Sequence, residues 1–128
     1  MGAPERIMRH AVAVARALVF LVLSGTAAAA ADAEHGKVLF GACAACHSER
    51  PDALGPSLKG VVGRKSAALE DFRYSSAMKR AQLIWDEDNL RAYLKDPQTK
   101  VKGNRMPYSG LADASDVEDL IAYLKTVK

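Results

Sequence analysis

Five consecutive residues constrain this chain more than anything else in it: Cys43-Ala44-Ala45-Cys46-His47. Two thiols three positions apart share one face of a helical turn, and an imidazole follows directly. Cys-x-x-Cys-His is the attachment signature of a covalently bound haem: both thiols can reach the vinyl groups along one side of a porphyrin, and the histidine can aim a ring nitrogen at the iron. Three other readings compete. A thioredoxin-like redox pair needs strands around the motif, and no run of convincing alternation is present. A zinc site wants four ligands, whereas after residue 31 the chain offers only Cys43, Cys46, His35 and His47, with no second cluster. A plain disulfide is the default for two cysteines in an exported chain, but the spacing and the adjacent histidine suit haem better.

The N-terminus is what makes export the expectation. Arg6 and Arg9 precede the apolar run Ala17 to Leu23, and Ser24-Gly25-Thr26 and an alanine tract follow. That order reads as a cleavable secretory signal peptide over residues 1–31, cut between Ala31 and Asp32. Arg16 keeps the uninterrupted apolar stretch well short of the ~20 residues a membrane-spanning helix needs. The leader has no Arg-Arg pair, so the chain is expected to cross unfolded and to receive its haem afterwards, in the periplasm.

What remains, residues 32–128, is 97 residues long and suits one small domain. The formal net charge of +3 shrinks once the leader's three arginines and one glutamate are set aside, leaving 15 basic against 14 acidic residues. Nucleic acid is excluded as a partner on charge. With 6% aromatic residues the core is modest, and a cofactor is expected to help complete it.

The remaining pattern is helical, and the fold class is all-α. Val38, Leu39 and Ala42 predict a first helix over about 33–46, and residues 48–66, with Pro51, Gly55, Pro56, Gly60 and Gly63, predict a long loop. Structureless loops longer than ~12–15 residues are uncommon unless they have a job, and wrapping a cofactor is one. A short helix is expected over Ser75 to Arg80. Another follows Asp86-Glu87-Asp88, carries Leu90, Tyr93 and Leu94, and ends at Pro97. A second loop spans residues 96–111. Ser115 then reads as an N-cap with Glu118 three residues on, opening a last helix with Val117, Leu120, Ile121 and Leu124 on one face.

The second axial ligand of the iron determines what kind of haem protein this is, and the candidates are Met78, Met106 and His35. Met78 reads better as a core residue on a helix face. Met106 lies between Gly103, which permits an unusual backbone angle, and Pro107, which disfavours helical geometry at the residue before it. A loop methionine held in this way can reach a haem. Histidine and thioether together leave the iron no open position and raise its potential, which describes an electron carrier, not an enzyme.

These residues resemble class I c-type cytochromes, especially the bacterial cytochrome c2 and mitochondrial-like branch. The likeness runs in order through Gly36 and Phe40, the Cys43 to His47 motif, Gly55-Pro56-Ser57-Leu58, Gly63-Arg64 and Phe72 to Ser75. It continues through Trp85, Tyr93-Leu94, the Gly103 to Met106 loop and Leu120 to Lys125. The resemblance implies one haem c in a small cytochrome c fold, with His47 and Met106 on the iron. It implies that the Pro56 carbonyl accepts a hydrogen bond from His47, orienting the ring, and that Arg64, Tyr74 and Trp85 surround a buried propionate. Tyr93 is expected near Met106, and Gly36 and Phe40 against Leu120 and Tyr123. Lys102 and Asn104 stand where relatives often have Pro and Thr, and Pro107 where they have a nonproline residue. Asn104 retains a hydrogen-bond donor and is expected at the cofactor.

The function that follows is a monomeric one-electron shuttle. Its expected partners are redox proteins: a quinol-cytochrome c oxidoreductase, a terminal oxidase, a photosynthetic reaction centre or a periplasmic dehydrogenase. The alternative is the haem subunit of such a dehydrogenase. Lys79, Lys100, Lys102 and Arg105 are expected near an exposed haem edge, where they would steer acidic partners.

Overall fold

The computed structural model describes residue 25 and residues 28–128, so the expected leader lies outside the described residues except for Gly25 and residues 28–31. Among the described residues five helices account for the regular structure: α1 Ala33–Ala44, α2 Ser76–Ala81, α3 Glu87–Lys95, α4 Pro97–Lys100 and α5 Ala114–Leu124. Among the described residues the only β pairing is an isolated antiparallel bridge between Lys65 and Ile84. None of the described helices is long and apolar enough to cross a membrane.

Each helix begins on a side chain that accepts a free backbone N–H of its first turn, the usual remedy for the unpaired donors there. Asp32 caps α1, Ser75 caps α2, Asp86 caps α3, Asp96 caps α4 and Asp113 caps α5. The α5 cap differs from the expected Ser115. The Asp113 carboxylate accepts both the Ser115 N–H at 2.7 Å and the Ser115 hydroxyl at 2.6 Å, so Ser115 joins the first turn instead of closing it. A second difference lies at Pro97. It ends α3 as expected, but its fixed φ and missing N–H also suit the first position of a helix, and the short α4 starts on it inside the stretch expected as loop. α1 stops at Ala44, two residues early, although the His47 N–H still bonds back to the Cys43 carbonyl at 2.9 Å.

The core forms where α5 lies across α1 and α3. Val117, Leu120, Ile121 and Leu124 on one face of α5 are buried with Leu90, Tyr93 and Leu94 of α3. α1 reaches α5 through Gly36, where a Cβ would lie 2.0 Å from the Asp119 carbonyl oxygen. No other residue allows helices this close. One turn on, Phe40 and Tyr123 meet with ring centroids 5.1 Å apart. At its outer end the same helix pair is joined by polar contacts: the Asp32 N–H donates to Asp119 Oδ1 at 2.6 Å, and His35 Nδ1 lies 2.8 Å from Asp119 Oδ2. This clasp fixes α1, and so fixes where the cysteines that follow Phe40 emerge.

Candidate functional site

Between the helices and the two long loops lies a cavity of about 670 Å³, within the range of pockets that bury a cofactor-sized molecule. Every site residue expected from sequence lines it: Cys43, Cys46, His47, Pro56, Arg64, Tyr74, Trp85, Tyr93, Asn104 and Met106. Ordinary core packing would scatter such residues; here segments from five parts of the chain converge on one space.

The wall bearing the motif is built from the end of α1. Cys43 and Cys46 are half-buried and are not joined in a disulfide. Burial, and then the neighbouring Cys46 sulfur, pushes the Cys43 thiol up from its ordinary value. His47 is held on two sides. Its Nδ1 bonds to the Pro56 carbonyl at 2.8 Å, which makes Nδ1 the protonated nitrogen and leaves Nε2 with its lone pair. Its ring also lies close against Gly55, where a Cβ would come within 2.6 Å of Cε1 and 2.7 Å of Nδ1. Gly55 is in turn tied to the motif by its N–H, which donates to the Cys46 carbonyl at 2.9 Å.

Met106 enters from the loop between α4 and α5. Its Sδ lies 3.9 Å from the Tyr93 hydroxyl, within hydrogen-bonding reach for sulfur. Burial pushes the Tyr93 phenol up to about 12, so it stays protonated and can donate to that sulfur throughout the physiological range. Tyr93 also packs against Trp85, with centroids 4.9 Å apart. The other two ligand candidates part company. Met78 on α2 is partly buried against the core and lines the same cavity, while His35 is exposed on α1 and bonded to Asp119.

The electrostatics of the lining are one-sided. Arg64, Lys65, Arg73 and Arg105 line the cavity, and among the described residues no Asp or Glu does. Arg64 donates to the Lys59 and Ser57 carbonyls at 2.9 and 2.8 Å, but its buried Nε has no partner. A buried donor without an acceptor is costly, and the excess of cations in the lining suits a group that carries its own negative charge. Of the four cations expected from sequence at the haem edge, only Arg105 is part of the lining. Lys65 and Arg73 line it as well, next to the bridge at Lys65 and the turn before Tyr74, and neither was expected there.

A family model described as cytochrome c matches residues 33–128. The chain belongs to the cytochrome c family. It is 43% identical over 117 residues to cytochrome c2 of Blastochloris viridis, covering 86% of this chain and 92% of that protein. Cytochrome c-554 of Methylosinus trichosporium is 37% identical, over 87% of this chain and 86% of the relative. Among solved structures, cytochrome cH from Methylobacterium extorquens superposes with a TM-score of 0.71 at 43% identity, covering 74% of this chain and 98% of that one. Membership brings covalently bound haem c, and the cavity fits it. Two thiols and an imidazole nitrogen stand along one wall, and Arg64, Lys65, Arg73 and Arg105 give the lining the positive charge that suits a group bearing carboxylates. As a member of this family the chain is a haem electron carrier.

Proposed function

We propose that this cytochrome is a one-electron shuttle whose iron is held by His47 and Met106, and that it works in the periplasm after loss of residues 1–31. The observation that carries the reading is the lock on His47: a proton fixed at Nδ1 by the Pro56 carbonyl leaves Nε2 as the only ring nitrogen able to bind metal. Met106 supports the second ligand, since it is the cavity methionine within reach of the Tyr93 hydroxyl.

The haem supplies a one-electron couple at its iron. The chain's own residues set the conditions. Cys43 and Cys46 tether, His47 keeps one orientation, and the apolar lining from Leu58, Val61, Leu90, Leu94 and Leu120 excludes water. Arg64 and its neighbouring cations offset buried negative charge. With His47 and Met106 both holding the iron, no position would be left on it for a substrate, so the reading is of a carrier and not an enzyme. The partners in this reading are redox proteins: a quinol-cytochrome c oxidoreductase, a terminal oxidase, a photosynthetic reaction centre or a periplasmic dehydrogenase.

Met106→Ala tests the ligand. The variant is expected to bind carbon monoxide in its reduced form, to lose the far-red absorption of the oxidised form and to have a lower potential. Retention of the native absorption and potential would show that Met106 is not on the iron.

A further inference from the structure

The segment carrying Met106 runs from the end of α4 to the start of α5 with no regular structure of its own. Such a loop needs something to fix its backbone. Among the described residues the one buried polar side chain of the core is in it: Asn104, 8% exposed.

The Asn104 amide Nδ2 donates to the Pro97 and Val101 carbonyls, both at 2.9 Å, and its Oδ1 accepts the Met106 N–H at 2.8 Å. Its backbone joins the same network, the N–H donating to the Val101 carbonyl at 3.1 Å and the carbonyl accepting Gln98 Nε2 at 3.2 Å. The partners dictate the orientation of the amide. Turned over, it would set its oxygen against two carbonyl oxygens and its NH2 against an N–H. Both amide hydrogens are therefore committed to the backbone, and none is left for a propionate.

We infer that Asn104 is a positioning residue for Met106: it clamps the ligand's backbone to both ends of α4 and does not bind the cofactor. α4 is anchored by buried Pro97 and Val101, so the clamp transfers the rigidity of the core to the residue that carries the sulfur. A threonine has one hydroxyl and cannot make three such bonds at once. The inference rests on Met106 as the axial ligand.

The test uses the holoprotein and the variants Asn104→Asp, Asn104→Thr and Met106→Ala. Carbon monoxide binding to the reduced protein is followed together with the far-red absorption of the oxidised protein on heating and the helical circular dichroism on the same ramp. Asn104→Asp replaces the two donors by an acceptor facing two carbonyls. It is expected to bind carbon monoxide about tenfold faster, the factor that corresponds to about 1.4 kcal/mol of loop opening, and to lose the far-red absorption at a lower temperature than its helices. Asn104→Thr, which keeps one donor and one acceptor, is expected to fall between Asp and wild type, and it carries the same test where the Asp variant yields no holoprotein. Wild-type exclusion of carbon monoxide in the Asn104 variants, or far-red loss only at global unfolding, overturns the clamp. If Met106→Ala responds while the Asn104 variants do not, only the clamp falls; if Met106→Ala itself matches wild type, the ligand assignment falls and takes the clamp with it.

Discussion

Gly55 and His47 illustrate how tightly single residues are specified around the iron site. The imidazole rests on the Gly55 backbone and is pinned at Nδ1 by the very next residue, Pro56. Gly55→Ala would place a methyl group 2.6 Å from Cε1, closer than any real contact. The ring or the loop must move, at a cost of about 1–3 kcal/mol, the usual range for overpacking. We expect a lower melting temperature of the holoprotein and a smaller fraction of chains carrying haem, measured by calorimetry and by the ratio of Soret to protein absorbance. A wild-type melt and full haem content would mean that the loop yields without disturbing His47. The motif itself was legible in the sequence because its chemistry is contiguous. The bed that Gly55 makes for His47 was not, since a residue eight positions away shows nothing locally of what will lie on it.

At the scale of elements, the α1–α5 clasp is the part most exposed to pH. His35 is raised above its ordinary 6.5 by its hydrogen bond to Asp119, opposed by partial burial and assisted by the charges of Asp116, Asp119 and Asp32. Asp113 at the start of α5 also feels the histidine's charge, its own carboxyl being lowered first by its hydrogen bonds to Ser115 and in small part by His35. A raised folded-state value means that the protonated histidine stabilises the helix pair fully below pH 6.5 and that the contribution is lost as pH rises through the folded value. The melting temperature of wild type should therefore exceed that of His35→Gln in mild acid, and the gap should close toward alkaline pH. Parallel melting curves for the two proteins at all pH values would rule out the clasp as a charge interaction. The helices of this pair were readable from their periodic apolar faces and acidic first turns. Their contact was readable only through Gly36, and the α5 cap was misplaced by two residues. Asp113 and Ser115 are both good caps by type, and the choice fell to the one whose carboxylate could satisfy the other.

Across the whole molecule, charge matters by its placement. Residues 32–128 are almost balanced, with 15 basic and 14 acidic side chains, yet four cations and no carboxylate line the cavity. Buried anionic groups would neutralise part of that charge, and the exposed remainder, Lys65, Arg73 and Arg105, would attract acidic partners from beyond contact. Reduction by an acidic redox partner should slow steeply as ionic strength rises from about 0.01 M to 0.15 M, over which the screening length falls from ~30 Å to ~8 Å. A flat profile would leave the cations with a purely internal role. By itself the sequence determined what is local or periodic: the attachment motif, the helical faces, the proline-and-glycine loops and the methionine held between Gly103 and Pro107. The tertiary structure decided what depends on separate segments meeting. It brought Arg64 to the cavity wall, added Lys65 and Arg73 to that wall, and turned Asn104 into the loop it belongs to. Spacing along a chain reports the neighbours of a residue within a few turns; which donors are left over after folding depends on contacts between residues far apart in sequence.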